Sequence, residues 1–332
     1  MKKTVALIYG GEGFENGISK ISAESLFEMI DKSQYGILKI EIQRNGEWYI
    51  RRGGKSPDVP TFPIKIRDKS GFLTDDGIIP VDCAIPCLHG DFGEDGVIQG
   101  LLSAAHISYV GQDVYASAVT SDKLYAKAIA QSLGIPVAKY VLLSDTSASS
   151  AKRIAEVSIG YPMFLKPVRL GSSYGAHPIY KESEFKEAYE DAASYSDRII
   201  AEELIDFDFE LECALFNGNL IPNGRITSSE KFYSYERKYN GLSDASPEIC
   251  LAYSSKIQDT VKSYSQKLVL ASGLHSIARL DFFVTKQENV IFNEINSFPG
   301  MTKSSLYPRL TELCGLKSGE FINKLIASRC CV

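Results

Sequence analysis

Apolar and polar positions in the first third of the chain follow the periods of strands and helices in turn. The segment TVALIYGG is a short apolar run that ends in glycines, which predicts a first β-strand entering a Gly-rich turn. Residues 19–30 then carry apolar side chains at helical spacing. Further strands are predicted at GILKIEI, EWYI and VDCAIPCLHG. Strands alternating with helices predict a parallel-sheet α/β domain over residues 1–111, with ligands at the carboxyl ends of its strands.

The middle of the chain predicts a smaller α+β unit over residues 112–203. A helix is expected from Ser121 to Leu133, ended by Gly134. The strand YPMFLKPV leads into a Gly/Ser loop, and a helix and a second strand follow. Residues 204–332 make a third unit, so the chain is expected to fold as three domains.

Residues 279–301 predict a β-hairpin in the third unit. Two apolar runs, RLDFFV and VIF, flank the polar turn KQEN. Alternate residues of a strand share a face, so Glu294 is expected on the same face as Phe292. Counting outward from a Thr285–Val290 pair gives two cross-strand pairs on one patch: Asp281 with Glu294, and Arg279 with Asn296.

Two carboxylates in this hairpin are therefore expected to oppose each other. Such a pair repels unless something positive lies between the two groups. Mg²⁺ prefers oxygen ligands and is commonly held by one or two carboxylates together with substrate phosphates. The alternative is an ion pair of Arg279 with either acid on a solvated face, and the hairpin pattern alone leaves both open.

Three other segments carry candidate chemistry. The loop Arg169–Gly175 follows a strand ending at Lys166, and small residues beside a lysine suit a phosphate, although the order is not that of a Walker A loop. Residues 230–241 hold four aromatic and three cationic side chains, as in a mobile lid over an anionic substrate or in a solvated turn. In HGDFGEDGVIQG, Asp95 can cap the next helix, and a lone His89 at a strand end is usually structural.

Composition and charge argue for a globular protein and against a nucleic-acid-binding, membrane-spanning or secreted one. The 332 residues are 44% hydrophobic and 23% charged, as in an ordinary soluble protein. A net charge of −5 argues against nucleic acid as a partner, and no apolar run is long enough to span a membrane. The short N-terminal apolar run lacks a signal-peptide cleavage site, and the seven scattered cysteines predict reduced thiols in the cytoplasm.

Seven motifs in order resemble the D-alanine–D-alanine ligase family, a branch of the ATP-grasp enzymes. They are LHG with GEDG, a helix containing DK, KP with GSS, a Tyr/Lys-rich loop, RLD, NEIN and PGMT, and they cover nearly the whole chain. The resemblance implies a three-domain ATP-grasp fold of α/β and α+β type. It implies that ATP phosphorylates one D-alanine carboxylate and that the amine of a second D-amino acid attacks the acyl phosphate, for peptidoglycan synthesis. The implied cofactors are ATP and two Mg²⁺ ions, with Mn²⁺ as a possible substitute, and a cytoplasmic homodimer is expected.

The resemblance also implies roles for individual residues. A triad of Glu15, Ser172 and Tyr239 positions the first D-alanine and closes the lid. Arg279 and the Gly300 amide stabilise an oxyanion, Ser305 and Leu306 contact the second substrate, and His89 is a further substrate contact. The implied magnesium ligands are Asp281, Glu294 and Asn296, with Glu294 bridging two ions. The implied nucleotide contacts are Lys123, Lys166, Ser172, Ser173, Glu202, Glu203, Leu204, Glu210, Lys238 and Phe283.

Two places depart from the family pattern. Ser121 stands where the family often has methionine before Asp-Lys, and the stretch EELIDFDFE is one residue longer than usual and lacks a glycine before its last glutamate. The extra residue leaves open how the adenine hinge, Glu202, Glu203 and Leu204, aligns with the family pattern.

The second substrate has three candidates within the family. Lys238 and Tyr239 favour an amine nucleophile over D-lactate, and Leu306 favours D-alanine, because serine-adding relatives tend to carry arginine there. D-serine remains the alternative. Two broader alternatives are another ATP-grasp carboxylate–amine ligase and a non-catalytic nucleotide-binding protein. The GEDG and PGMT motifs oppose the first, and the full set of catalytic side chains opposes the second.

Overall fold

The structure, a computed structural model, describes residues 2–53, 57–144, 147–221, 224–227, 248–250, 252–302, 305–317 and 319–330. In the first third, strands β1–β8 are Lys3–Gly10, Tyr35–Ile42, Trp48–Ile50, Val59–Pro60, Phe62–Ile66, Lys69–Thr74, Gly77–Pro80 and Cys83–Pro86. Helices α1 and α2 are Asn16–Met29 and Val97–Ala104.

The first sheet has the order β4-β3-β2-β1-β8 and is mixed. Strand β1 pairs in parallel with β2 and β8, as the alternation of strands and helices predicted. Strands β3 and β4 run antiparallel, because only five residues separate Ile42 from Trp48 and a parallel crossover needs a dozen or more. Residues 5–8 of β1 are wholly buried, as expected for a central strand covered on both faces.

An additional sheet was not predicted from the sequence. Strands β5, β6 and β7 form an antiparallel meander beside the first sheet. Phe72 of β6 is fully buried in the same core as Trp48 and Ile98. The prolines in this segment hid the strand pattern, because proline is usually a sign of a loop.

The middle of the chain folds around a four-stranded antiparallel sheet of order β11-β10-β12-β9. Its strands β9–β12 are Tyr140–Ser144, Met163–Pro167, His177–Ile179 and Arg198–Glu203. Helices α3–α6 are Val114–Ser121, Lys123–Ser132, Ala148–Ser158 and Phe185–Tyr195. The predicted helix begins at Lys123, because the Asp122 side chain accepts hydrogen bonds from the Leu124 and Tyr125 amides and so caps α4.

The last third is built on a sheet of order β16-β15-β13-β17-β18, with β14 paired to β13. Strands β13–β18 are Phe209–Phe216, Asn219–Leu220, Gly224–Thr227, Glu248–Cys250, Ile277–Val284 and Val290–Asn296. Helices α7–α9 are Ser255–Ser272, Leu306–Leu313 and Glu320–Cys330. Helix α9 returns to the first sheet, where Phe321 and Leu325 share a core with Val5 and Ile85.

The β17–β18 hairpin forms as predicted, but its register differs at the turn. Thr285 faces Asn289 rather than Val290, since residues 286–288 make a three-residue loop in which Glu288 has a left-handed φ of 61°. A bulge at Asn293 then restores the predicted pairs of Asp281 with Glu294 and Arg279 with Asn296.

The bulge also contradicts the predicted face of Phe292. One extra residue reverses the alternation, so Phe292 is fully buried in the core of the last sheet, against Phe282, while Glu294 faces the cleft. The carboxylate pair is therefore set by the bulge, not by unbroken alternation from the turn.

Within the described part of the chain, every helix is too short or too polar to cross a bilayer. Cysteines 83, 87, 213, 314 and 330 are free thiols.

Candidate active site

Arg279 and Asp281 lie on the cleft face of β17, next to Glu212 of the neighbouring β13. The Arg279 guanidinium donates from Nε to Asp281 Oδ1 at 2.9 Å and from Nη2 to Asp281 Oδ2 at 2.8 Å. Its Nε is also 3.2 Å from Glu212 Oε1. The sequence pattern left two alternatives, a metal site or an ion pair of Arg279 with an acid. The structure shows the ion pair with Asp281. Glu212 was missed, although it lies two residues from Glu210 on the same strand.

Glu294 and Asn296 complete this face from β18. Asn296 Nδ2 donates to Asp281 Oδ2 at 3.0 Å, and Glu294 lies across the ladder from Asp281. Two carboxylates and an amide oxygen on one face are hard oxygen donors of the kind that Mg²⁺ takes. Arg279 and Lys123 balance only part of the charge of Asp281, Glu294 and Glu212, so the donor set fits a magnesium ion held by Asp281, Glu294 and Asn296.

Lys123 connects this face to the Gly/Ser loop. Its Nζ is 3.6 Å from Glu294 Oε2 and donates to the Leu170 carbonyl at 2.8 Å. Asp122, the preceding residue, is fully buried and accepts from Arg169 Nε at 3.2 Å. The start of α4 therefore holds the loop and presents an ammonium to the carboxylates.

Glu15 lies at the other side of the loop, at the start of α1. Ser172 Oγ donates to Glu15 Oε1, while the buried Oε2 has no hydrogen-bond partner among the described residues. Burial raises the pKa of Glu15, and the Ser172 hydrogen bond and the Lys123 charge oppose that rise. A buried carboxylate oxygen without a partner is costly unless a ligand supplies a donor, and an ammonium would do so.

The loop between these groups is strained. Ser172 and Ser173 both have a positive φ, 52° and 63°, where side chains other than glycine are disfavoured. The ring of Tyr174 packs against Phe14 and Tyr195, with centroids 6.1 and 5.6 Å apart. This aromatic contact holds the loop against the segment that carries Glu15.

Lys166 and the adenine hinge form a second cluster. Lys166 Nζ is 3.1 Å from Glu202 Oε2 and donates to Asn293 Oδ1 at 3.3 Å. The Glu203 side chain instead accepts from the Lys139 amide at 3.0 Å, which turns it away from Lys166. Leu204 is half-buried, and its amide donates to the Pro162 carbonyl at 3.4 Å.

The remaining predicted nucleotide contacts lie at the β13–β17 ladder. Glu210 pairs with Phe283, and the Phe283 ring stacks on Phe207 at 4.8 Å. Phe207 belongs to the lengthened hinge segment, and no sequence signal pointed to it.

His89 is buried at the end of the first sheet and contacts Ser22 Oγ at 3.0 Å through Nε2. Burial lowers the pKa of His89 to about 4, so the ring is neutral at pH 7. These contacts fit a structural role, and the substrate contact implied for His89 stays a prediction.

Gly300 and Ser305 are brought together beyond β18. A Cβ atom at Gly300 would lie 2.9 Å from Ser305 Oγ, which also accepts from the Thr302 amide at 3.0 Å. Leu306 is the half-buried first residue of α8. Lys238 and Tyr239 lie outside the described residues.

Glu94 joins the two glycine-containing loops and was not singled out from the sequence. It accepts from the Gly90 amide at 3.0 Å and from the Phe298 amide at 3.2 Å. Burial raises the pKa of Glu94 from 4.5 to about 7, and the nearby charge of Glu15 adds to the rise.

This pKa predicts a pH dependence of stability. The folded state binds the Glu94 proton more tightly than the unfolded chain, so the stability it adds is complete below about pH 4.5 and is lost as pH rises through 7. Between pH 5 and pH 8, the unfolding free energy of the wild type should fall by about 2 kcal/mol relative to Glu94→Gln. Urea unfolding at both pH values measures this, with the exposed Glu187→Gln as control. Equal changes in wild type and Glu94→Gln would contradict the assignment.

Comparisons with known proteins show the family of the chain. The family model described as D-ala D-ala ligase N-terminus matches residues 4–112, and D-ala D-ala ligase C-terminus matches residues 129–327. A D-alanine–D-alanine ligase of Thermoanaerobacter sp. is 33% identical, over 98% of this chain and 96% of its own length.

Two solved structures are similar throughout. The VanG D-Ala:D-Ser ligase from Enterococcus faecalis has a TM-score of 0.85 and 32% identity, covering 99% of this chain and 100% of its own. D-alanyl-alanine synthetase A from Vibrio cholerae has a TM-score of 0.86 and 28% identity, covering 100% of this chain and 99% of its own. The predicted ATP-grasp fold class is confirmed, and the chain belongs to the D-alanine–D-alanine ligase family.

Proposed function

We propose that this protein joins two D-alanine molecules to D-alanyl-D-alanine, with ATP converted to ADP and phosphate through an acyl phosphate. The observation that carries the proposal is the link made by Lys123. Its ammonium lies 3.6 Å from Glu294 and holds the loop whose Ser172 donates to Glu15. Lys123 thus connects two places. One is the face around Glu294, which suits a metal bound to a nucleotide, and the other is the buried carboxylate of Glu15, which suits the ammonium of an amino acid.

The first substrate binds at Glu15. Its ammonium donates to the unpartnered Oε2, so its carboxylate extends toward the cationic side of the loop. Lys123 and Lys166 hold the ATP phosphates. When bound by Asp281, Glu294 and Asn296, magnesium supplies charge neutralisation of the phosphates.

The reaction has two steps. A carboxylate oxygen of the first D-alanine forms a bond to the terminal phosphorus of ATP, and ADP leaves with the electrons of the broken P–O bond. The amine of the second D-alanine, after losing a proton, forms the C–N bond, and phosphate leaves with the former carboxylate oxygen. Arg279 and the Gly300 amide face the oxyanion that develops on the acyl carbon, where fixed donors contribute most.

The second substrate is D-alanine rather than D-serine in this proposal. Leu306 starts α8 beside Ser305, and an apolar side chain there suits a methyl group. The VanG D-Ala:D-Ser ligase is similar in fold, which makes D-serine the competing second substrate. The peptidoglycan role, the cytoplasmic location and the homodimer remain proposals that accompany the activity.

The experiment is product identification by mass spectrometry. The purified protein receives ATP, Mg²⁺ and D-alanine, alone and with an equal concentration of D-serine or D-lactate. We expect D-alanyl-D-alanine to dominate in every mixture. Dominant D-alanyl-D-serine would overturn the assignment of Leu306 but keep the metal and nucleotide sites, and no dipeptide at all would overturn the proposed function.

A further inference from the structure

Lys127 is a buried ammonium that no predicted role accounts for. It lies on α4 one helical turn beyond Lys123, and its side chain is 0% exposed. A lysine is almost never fully buried unless it is paired, because leaving water strongly disfavours its charge. Its position in the fold points toward the adenine hinge rather than toward solvent.

The partner of Lys127 is the hinge residue Glu202, which it shares with Lys166. Lys127 Nζ is 3.1 Å from Oε1 of Glu202, and Lys166 Nζ is 3.1 Å from Oε2. Lys166 also donates to Asn293, the bulged residue of β18. One carboxylate therefore divides its two oxygens between two ammonium groups.

The two lysines and the glutamate of this cluster influence one another's ionisation. Lys127 Nζ and Glu202 Oε1 form an ion pair at 3.1 Å, and both atoms are buried. Burial lowers the pKa of Lys127, and the charge of Glu202 opposes that fall. Although burial raises the pKa of Glu202, the two ammonium groups hold it below its usual value. Lys127 and Lys166 thus share the Glu202 carboxylate at 3.1 Å each, and the charge of Glu294 acts on Lys127 only as a weaker contribution.

We propose that Lys127 is a positioning residue for the nucleotide, which acts through Glu202 by occupying one of its oxygens. Because Glu202 is shared, it does not fully neutralise the Lys166 ammonium. The remaining positive charge of Lys166 is available to the ATP phosphates. This inference rests on the proposed function, in which Lys166 binds ATP phosphates.

Lys127→Met tests the inference, because methionine keeps most of the side-chain length and removes the charge. Glu202 and Lys166 would then form a neutral one-to-one pair. We expect Kd for ATP and ADP and KM for ATP to rise about tenfold, within the range for coupled neighbouring charges, while kcat and KM for D-alanine stay within about twofold. The matched control is Lys139→Met at an exposed lysine beside the hinge, which should change none of these values.

Adenosine separates an electrostatic role from a structural one. It has no phosphate, so its affinity should be unchanged in Lys127→Met if Lys127 acts through the charge of Lys166. Equal losses for adenosine and ADP would show a distorted hinge and overturn the proposal, as would unchanged ADP affinity. Calorimetry measures all three ligands.

A second variant keeps the test valid if Lys127→Met does not fold. Lys127→Arg retains the charge, and we expect its ATP affinity to stay within about threefold of wild type. A folded arginine variant that binds ATP tenfold more weakly would overturn the proposal. Failure of the wild type itself to bind ATP would refute the proposed function instead, so the two outcomes are distinguishable.

Discussion

Replacing Glu294 with glutamine should lower kcat on the order of 10³-fold, the loss typical when a group that stabilises transition-state charge is removed. Glu294 faces Asp281 across the β17–β18 ladder and lies 3.6 Å from Lys123. Its side chain is 28% exposed, so the amide is partly hydrated, while the Lys123 ammonium loses the carboxylate it faces. Magnesium binding should also weaken, because the metal loses a carboxylate ligand. Isothermal titration of the nucleotide-bound enzyme with magnesium measures this independently of turnover.

The control for this variant lies on the same hairpin. Glu288→Gln makes the same chemical change at the exposed turn, where Glu288 contacts only Lys256 among the ion pairs described, at 3.7 Å. Surface pairs of this kind contribute little, so its kcat and thermal midpoint should match the wild type. Near-normal turnover in Glu294→Gln would refute the assignment of the metal face.

Replacing Glu15 with glutamine should lower kcat/KM for D-alanine by roughly 10²-fold, because a buried charged partner of the substrate ammonium is lost. The glutamine can still accept from Ser172, and its size is unchanged, so the strained loop keeps its main contact. ATP affinity should stay within about twofold, since the glutamine keeps the Ser172 contact that holds the loop.

Glu12→Gln is the matched control for the Glu15 variant. Glu12 is exposed in the same Gly-rich segment, three residues away, and should tolerate the change. Steady-state kinetics with D-alanine and with ATP varied separately distinguish the two substrates. An unchanged kcat/KM for D-alanine in Glu15→Gln would remove this residue from the first substrate site.

The limits of sequence-based prediction are clearest in the hairpin. The pairs Asp281–Glu294 and Arg279–Asn296 were predicted correctly from the strand pattern, yet the count that led to them began from a wrong pair at Thr285. A three-residue turn shifts the register by one residue, and the bulge at Asn293 shifts it back. Bulges leave no mark in an alternating pattern, so the face of Phe292 could not be predicted.

Buried polar contacts were the other class that sequence reasoning missed. Motif order indicated candidate ligand contacts, but it did not indicate Lys127 and Glu212, which pair with Glu202 and Arg279, or Glu94, which accepts from the Phe298 amide. A lysine four residues after Lys123 and a glutamate two residues after Glu210 follow helix and strand periods, yet the same periods describe solvated faces. Only the packing of the folded chain decides which of these side chains is buried.

In the proposed reaction, the carboxylate of one D-alanine is activated by phosphoryl transfer before the peptide bond forms. The most direct test is to supply D-alanine with heavy oxygen in its carboxylate, together with ATP and Mg²⁺, and to measure the mass of the released phosphate. Because the acyl phosphate passes one carboxylate oxygen to the phosphate, we expect one labelled oxygen in each phosphate for every D-alanyl-D-alanine formed. Dipeptide formation with unlabelled phosphate would contradict it.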